Sequence, residues 1–121
     1  MKIEFDITTD TRPVPHQNNI VVTRYGGHKT KKLRDYQEMI VRYAMEVAIG
    51  EPIDIDAMLS CSIVFGYPGK VFPDLENIAK STVDAMEGVM YRNDKQIHEM
   101  HLYRVLSEKG EYTIEIELEY D

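Results

Sequence analysis

The chain is poor in cysteine, in basic residues and in long apolar runs. Its single cysteine, Cys61, excludes a disulfide framework and a cysteine-based zinc site, and could at most pair between chains. No apolar stretch exceeds a few residues, far short of the roughly 20 that cross a bilayer, so no membrane span is expected. Residues 1–7, MKIEFDI, hold no apolar h-region and do not read as a signal peptide. With a reduced cysteine and no export signal, the expected location is the cytoplasm. No internal repeat or low-complexity tract is present. Lysine and arginine number 14 against 21 acids, a formal net charge of −7. On its face that deficit argues against a nucleic-acid partner, because neutralising phosphates requires Lys and Arg.

The deficit is unevenly placed. Residues 11–34 hold Arg12, Arg24, Lys29, Lys31, Lys32 and Arg34 and no acid. Residues 1–44 balance at +3 and residues 45–121 at −10. Lys29, Lys31 and Lys32 surround a predicted helix start, where cations oppose the helix dipole. A helix N-terminus ringed by lysines also suits a phosphate. A solvated basic loop and an anion-binding segment are both open readings, and the broken local rule favours the second.

At 121 residues, 29% charged and 43% hydrophobic, the chain fits one ordinary globular domain spanning residues 1–121. Ile3, Phe5 and Ile7 alternate with Lys2, Glu4 and Asp6, the period of a half-buried strand. Arg12-Pro13-Val14-Pro15-His16-Gln17-Asn18-Asn19 reads as an extended loop reaching toward residue 29, with a short extra strand at Ile20–Thr23. Leu33, Tyr36, Ile40, Tyr43, Ala44, Val47 and Ala48 fall at helical spacing, with Thr30 as N-cap and Gly50 and Pro52 as stops. Leu59, Cys61, Ile63, Phe65 and Tyr67 form a second alternating strand. After Pro73, the stripe Leu75, Ile78, Ala79, Thr82, Val83 and Met86 marks a second helix whose polar face carries Glu76, Asn77, Lys80 and Asp84. Arg92–Lys95 is a polar turn. Residues 97–106 make a strand of mixed pattern, expected to be covered on both faces, and residues 112–120 make the clearest strand of all. The order β-α-β-α-β-β, ending in a hairpin, predicts a small α/β (α+β) domain: a mixed sheet with two helices packed on it.

The chemistry concentrates in residues 73–80, PDLENIAK, with Asp94 fourteen residues after Lys80. Asp74, Glu76 and Asp94 are hard oxygen donors of the kind that suit Mg²⁺ or Mn²⁺. Each also has a plain structural reading: Asp74 as a helix cap, Glu76 with Lys80 as an i, i+4 pair, and Asp94 as a turn residue. Other candidates are weaker. His98 and His101, three apart on a strand, point to opposite faces. Gly66-x-x-Gly69-Lys70 is too short for a phosphate loop, and Val71 stands where Ser or Thr would be needed. Cys61 reads as an inert core residue, and no Ser/His/Asp arrangement is evident.

Residues 73–97 taken together, Pro73-Asp74-Leu75-Glu76-Asn77, Lys80, Asp84-Ala85-Met86, Gly88-Val89 and Asn93-Asp94-Lys95-Gln96-Ile97, resemble the RusA family of Holliday-junction resolvases. The family pattern usually has Asp at the position of Glu76 and an acid at that of Asn93. The resemblance implies a small dimeric endonuclease that cuts four-way DNA junctions, in recombination and repair, with Mg²⁺ or Mn²⁺. Carried over by position, Asp74, Glu76 and Asp94 would hold the metal, Lys80 would be the essential lysine, and Asn77 and Asp84 would support them. Arg12, Arg24, Lys29, Lys31, Lys32 and Lys70 would hold the DNA backbone. The alternative is a junction-binding or protein-interaction module of the same fold whose acidic site has decayed.

Overall fold

The computed structural model of the protein describes residues 1–17, 19–48 and 50–121. Its elements are β1 (Lys2–Thr9), β2 (Ile20–Thr23), β3 (Gly26–Lys29), α1 (Lys31–Val47), β4 (Leu59–Tyr67), α2 (Leu75–Met86), a single 3₁₀ turn (Asp94–Gln96), β5 (Ile97–Leu106) and β6 (Tyr112–Glu119). The four-stranded sheet runs β1-β6-β4-β5, and β2 and β3 form a separate two-stranded ribbon. This is the α+β domain that the sequence predicts, with both helices on one face of a mixed sheet.

Alternation decides that face. Ile3, Phe5 and Ile7 of β1, Cys61, Ile63 and Phe65 of β4, and Ile114, Ile116 and Leu118 of β6 point toward the helices and form the core with Tyr36, Ile40, Ile78 and Met86. Burying a side chain of this size contributes about 1.5–3 kcal/mol. The opposite face is bare and acidic. Glu4 pairs directly with Glu117, and Asp6 with Glu115, across β1 and β6. Like charges set opposite one another destabilise a sheet, and among the described residues only Lys2 offsets them, 2.6 Å from Glu117.

α1 begins where the sequence places it, with the Leu33 amide donating to Thr30 Oγ1 at 3.3 Å. Its chain direction changes after Val47, before Gly50 at φ +76°. The two helices are joined by polar contacts that hydrophobic spacing does not reveal. Tyr36 and Thr82 share a buried hydrogen bond of 2.7 Å, and buried Gln37 donates to the Ser81 carbonyl at 2.8 Å. The proline loop crosses α2. The His16 amide donates to the Asn77 carbonyl, and the Ser81 hydroxyl donates to that of Val14. Asn18, part of the predicted loop, lies outside the described residues.

Three expectations are corrected. The stretch to residue 29 is not loop throughout: Ile20–Thr23 is a strand as expected, but it turns at Arg24-Tyr25 and pairs with Gly26–Lys29, where Gly26 supplies the positive φ (+110°) that β-branched residues resist. The last two strands are not a hairpin. β6 inserts between β1 and β4, antiparallel to both, while β5 runs parallel to β4. β5 is consequently an edge strand, exposed along most of its length rather than covered on both faces. Its mixed pattern reflects one neighbouring strand and a groove beside it, not two covering layers.

The core keeps its ionisable groups neutral. Burial pushes the Cys61 thiol up to about 12. Burial also raises Tyr67 to about 12 against the opposing pull of Arg12, and it raises Tyr36 and Tyr91 as well. In the unfolded chain these groups ionise near 9.0 for the thiol and 10.0 for the phenols. The stability they contribute is therefore complete below those values and is lost as pH rises through them toward about 12. The urea midpoint is expected to fall progressively as the solution is taken above about pH 9.5. Cys61 should resist thiol-specific disulfide reagents at about pH 8 until denaturant is added, and rapid labelling of the native chain would contradict its burial.

Candidate active site

α2 starts at Asp74 because that side chain caps it, Oδ1 accepting from the Glu76 amide at 2.9 Å. The Pro73 ring ahead of it removes a competing donor. Spacings of i, i+4, i+8 and i+11 from Glu76 put Lys80, Asp84 and Glu87 on one stripe of the helix. Beside that stripe lies the exposed side of β5. The two bound an open groove of about 490 Å³ lined by Glu76, Lys80, Asp84, Asp94, His98 and Glu99 among others.

Asp94 reaches the groove through a turn built for rigidity. Asn93 caps it, its Oδ1 accepting from the Lys95 amide at 2.9 Å. Gln96 is buried and fully engaged. Its Oε1 accepts from the Arg92 and Asn93 amides, both at 3.0 Å, and its Nε2 donates to the carbonyls of Asp54 at 2.7 Å and Ala57 at 3.1 Å. The turn is thereby tied to the loop before β4. A register shift between Leu59 and Ser60 leaves His98 unmatched in the β4–β5 ladder. Such bulges re-aim side chains at the ends of strands, and His98 lines the groove while His101 lies 3.8 Å from Glu99.

The acids converge at one end. Asp84, Glu87 and Asp94 each bring a carboxylate oxygen within 4.8 Å of the other two, the one such trio of His, Cys, Asp or Glu among the described residues. Asp84 and Glu87 sit at the C-terminal end of α2, where the helix dipole disfavours negative charge and no base lies in the last turn. Their charge reaches the buried Tyr91, whose hydroxyl donates to the Val83 carbonyl at 2.6 Å. Its ionisation is raised first by burial, then by Cys61, Asp94, Glu87 and Asp84. Lys80 makes no ion pair among the described residues. Asp84 has His16 Nε2 at 3.9 Å, a partner only when that imidazole is protonated, and crowded hard oxygen donors of this kind are a donor set that fits a divalent cation such as Mg²⁺ or Mn²⁺.

The residues singled out from the sequence are thus distributed unevenly. Glu76, Lys80, Asp84 and Asp94 share the groove. Asp74 lies at the helix start, and Asp74, Glu76 and Asp94 do not form a trio as tight as the one above. Asn77 faces the other way, its amide donating to Gln17 Oε1 at 2.9 Å. Of the cations, Arg12 lies over the Tyr67 ring and Arg24 over Tyr25 at the ribbon's turn. Lys29 donates to Gln37 Oε1 at 2.6 Å and Lys31 to Asp35 at 2.7 Å, local compensation for two of the three lysines at the start of α1. Lys32 and Lys70 are exposed. Glu87 is absent from the sequence reading, and His98 is set aside there as one of two histidines on opposite faces of a strand. Glu87 extends the Glu76 stripe by helical spacing and could have been found, whereas the bulge that aims His98 has no signature in the sequence.

The helix and the edge strand bound a groove lined by carboxylates and a lysine, a set that suits metal-assisted hydrolysis of a phosphodiester. The family model described as endodeoxyribonuclease RusA matches residues 10–118 of the 121, and the chain belongs to that family. No curated protein matches the chain.

Replacing Gln96 with Leu leaves two amides and two carbonyls, all part-buried, without their partner. A stability loss of about 3 kcal/mol is expected by urea denaturation, the range for buried polar groups left without partners and partly rehydrated. A loss below about 0.5 kcal/mol would contradict its anchoring role.

Proposed function

We propose that the protein is a divalent-metal-dependent endonuclease that resolves four-way DNA junctions in recombination and repair, acting as a homodimer in the cytoplasm. The observation that carries this reading is the α2–β5 groove, where Glu76, Lys80, Asp84 and Asp94 meet, in a chain of the RusA family. Asp74, Glu76 and Asp94 hold Mg²⁺ or Mn²⁺ in this reading, with Asp84 and Glu87 beside Asp94 adding negative charge at the same end. When bound, such an ion supplies a nucleophile at neutral pH and stabilises the leaving oxygen.

The chain's own residues do the remaining work. Lys80, one turn beyond Glu76 and free of any ion pair among the described residues, offers its ammonium to the charge that builds on the phosphate during attack. The Gln96 anchor fixes Asp94 before substrate arrives, so little reorganisation is needed at the moment of reaction. Arg12, Arg24, Lys29, Lys31, Lys32 and Lys70 contact backbone phosphates, which orients the DNA without reading its sequence. Two groove copies related by a two-fold axis would meet the two-fold symmetry of a junction on opposed strands.

The deciding experiment is cleavage of a synthetic four-way junction. Wild-type protein should nick opposed strands with Mg²⁺ or Mn²⁺ and stop on addition of EDTA. Asp74→Asn retains a good helix cap, so its effect reports the charge rather than the fold. Asp74→Asn, Glu76→Gln, Lys80→Ala and Asp94→Asn should each lower the rate by about 100-fold or more. Undiminished cutting by Asp74→Asn protein would overturn its place in the metal set. Junction binding by wild-type protein with no nicking under any divalent ion would favour the module with a decayed site.

The lysines at the start of α1 make a separate prediction. In Lys29→Ala/Lys31→Ala/Lys32→Ala protein the slope of log affinity against log salt should fall by about 1 for each phosphate that is no longer neutralised. An unchanged slope would remove this segment from the DNA interface.

A further inference from the structure

At the end of the groove opposite the acid trio, four side chains pack in a row, the two rings at its centre tilted 49° to one another. Arg12 lies 5.8 Å from the Tyr67 ring centre, Tyr67 and Phe72 lie 4.5 Å apart, and Arg104 lies 5.0 Å from the Phe72 ring. The Tyr67 hydroxyl donates to the Pro13 carbonyl at 2.8 Å, and Tyr112 packs edge-on against Tyr67 at 5.1 Å, so the rings at the centre are fixed. The two guanidinium groups at the ends make no ion pair among the described residues. Beside Arg104 is a cavity of about 300 Å³ lined by Gly69, Lys70, Phe72, Arg104, Val105 and Leu106. In a chain of net charge −7, this cavity has two cations in its lining and no acid.

We propose that Arg104, stacked on Phe72 beside Lys70, docks a DNA backbone phosphate that flanks the one to be cut. The proposal rests on the nuclease reading above for the identity of the substrate. Its geometry follows from β5. Met100, Leu102 and Arg104 are paired with Cys61, Ile63 and Phe65 and share the helix-side face of the sheet. Met100 and Leu102 line the acid-bearing groove, so Arg104 continues the same track. His98 and Arg104 are six residues apart on one strand, roughly 20 Å at ~3.3 Å per residue, which is about six steps of duplex rise at ~3.4 Å each. Stacking on a ring leaves the donor edge of a guanidinium available, and its planar fork matches two oxygens of one phosphate.

The test measures binding of a four-way junction and of a plain duplex in EDTA over a salt series, followed by cleavage kinetics with Mg²⁺. Arg104 is exposed, and Arg104→Gln should keep the wild-type urea midpoint. It should weaken binding about 5- to 10-fold at low salt, lower the salt slope by about 1 and raise KM while kcat stays within about twofold. Phe72→Leu keeps every charge but removes the stacking surface, and should weaken binding by a smaller factor. Wild-type affinity and slope in Arg104→Gln protein, with wild-type cleavage observed, overturn the docking proposal alone. Weakened binding by Arg104→Gln protein supports the proposal even where wild-type protein binds without cutting, an outcome that overturns only the nuclease reading. Failure of wild-type protein to bind either DNA overturns both.

Discussion

Parallel strands cannot be joined by a tight turn, so the pairing of β4 with β5 demands a crossover, and α2 is that crossover. The whole groove follows from this constraint. The apolar stripe of α2 must face the core, which leaves its Glu76–Glu87 stripe beside the edge strand it has just been joined to. The chain then re-enters the sheet through the turn at Asp94–Gln96, and that turn has to lie next to the C-terminal end of α2. Carboxylates from two segments meet there because the connection is short, not because any of them attracts another. Gln96 makes the meeting rigid by filling its hydrogen-bonding capacity with backbone groups on both sides.

The charge distribution assigns roles to the remaining faces. The uncovered side of the sheet carries acids directly opposite acids, so a polyanion approaching from that side meets repulsion that the Lys2–Glu117 pair only partly offsets. The helix side carries the lysines near α1, the exposed ribbon with Arg24, and the stacked arginines. A net charge of −7 therefore restricts how DNA can approach rather than forbidding it. Weak non-specific binding is the corollary, since few cations are available on the permitted side.

Periodicity made β1, β4, β6 and both helices legible with nearly correct ends, because each has one buried face. What it could not convey was neighbour identity. Placing β6 between β1 and β4 leaves its alternation unchanged, so a hairpin and an inserted strand look alike in sequence. β5 misled for a physical reason: Met100, Leu102 and Arg104 line a groove and His101, Tyr103 and Val105 an open face, so neither set is uniformly apolar. At the site, helix spacing places Glu76, Lys80 and Asp84 on one polar face, but it is the resemblance of residues 73–97 to the RusA family that singles them out with Asp94. The tighter grouping of Asp94 with Asp84 and Glu87 depends on tertiary placement, and His98 depends on a bulge. Arg104 was invisible because its meaning comes from a ring 32 positions earlier in the chain.

The central claim is that the acid-lined end of the α2–β5 groove holds a divalent cation. Its most direct test is paramagnetic broadening of backbone amide resonances as Mn²⁺ is added to the wild-type chain. Broadening that begins at residues 74, 76, 80, 84, 87 and 93–98 and is reversed by excess Mg²⁺ is the expected result. Broadening confined to the acidic open face at Glu4, Asp6, Glu115 and Glu117, or none at all, would contradict it.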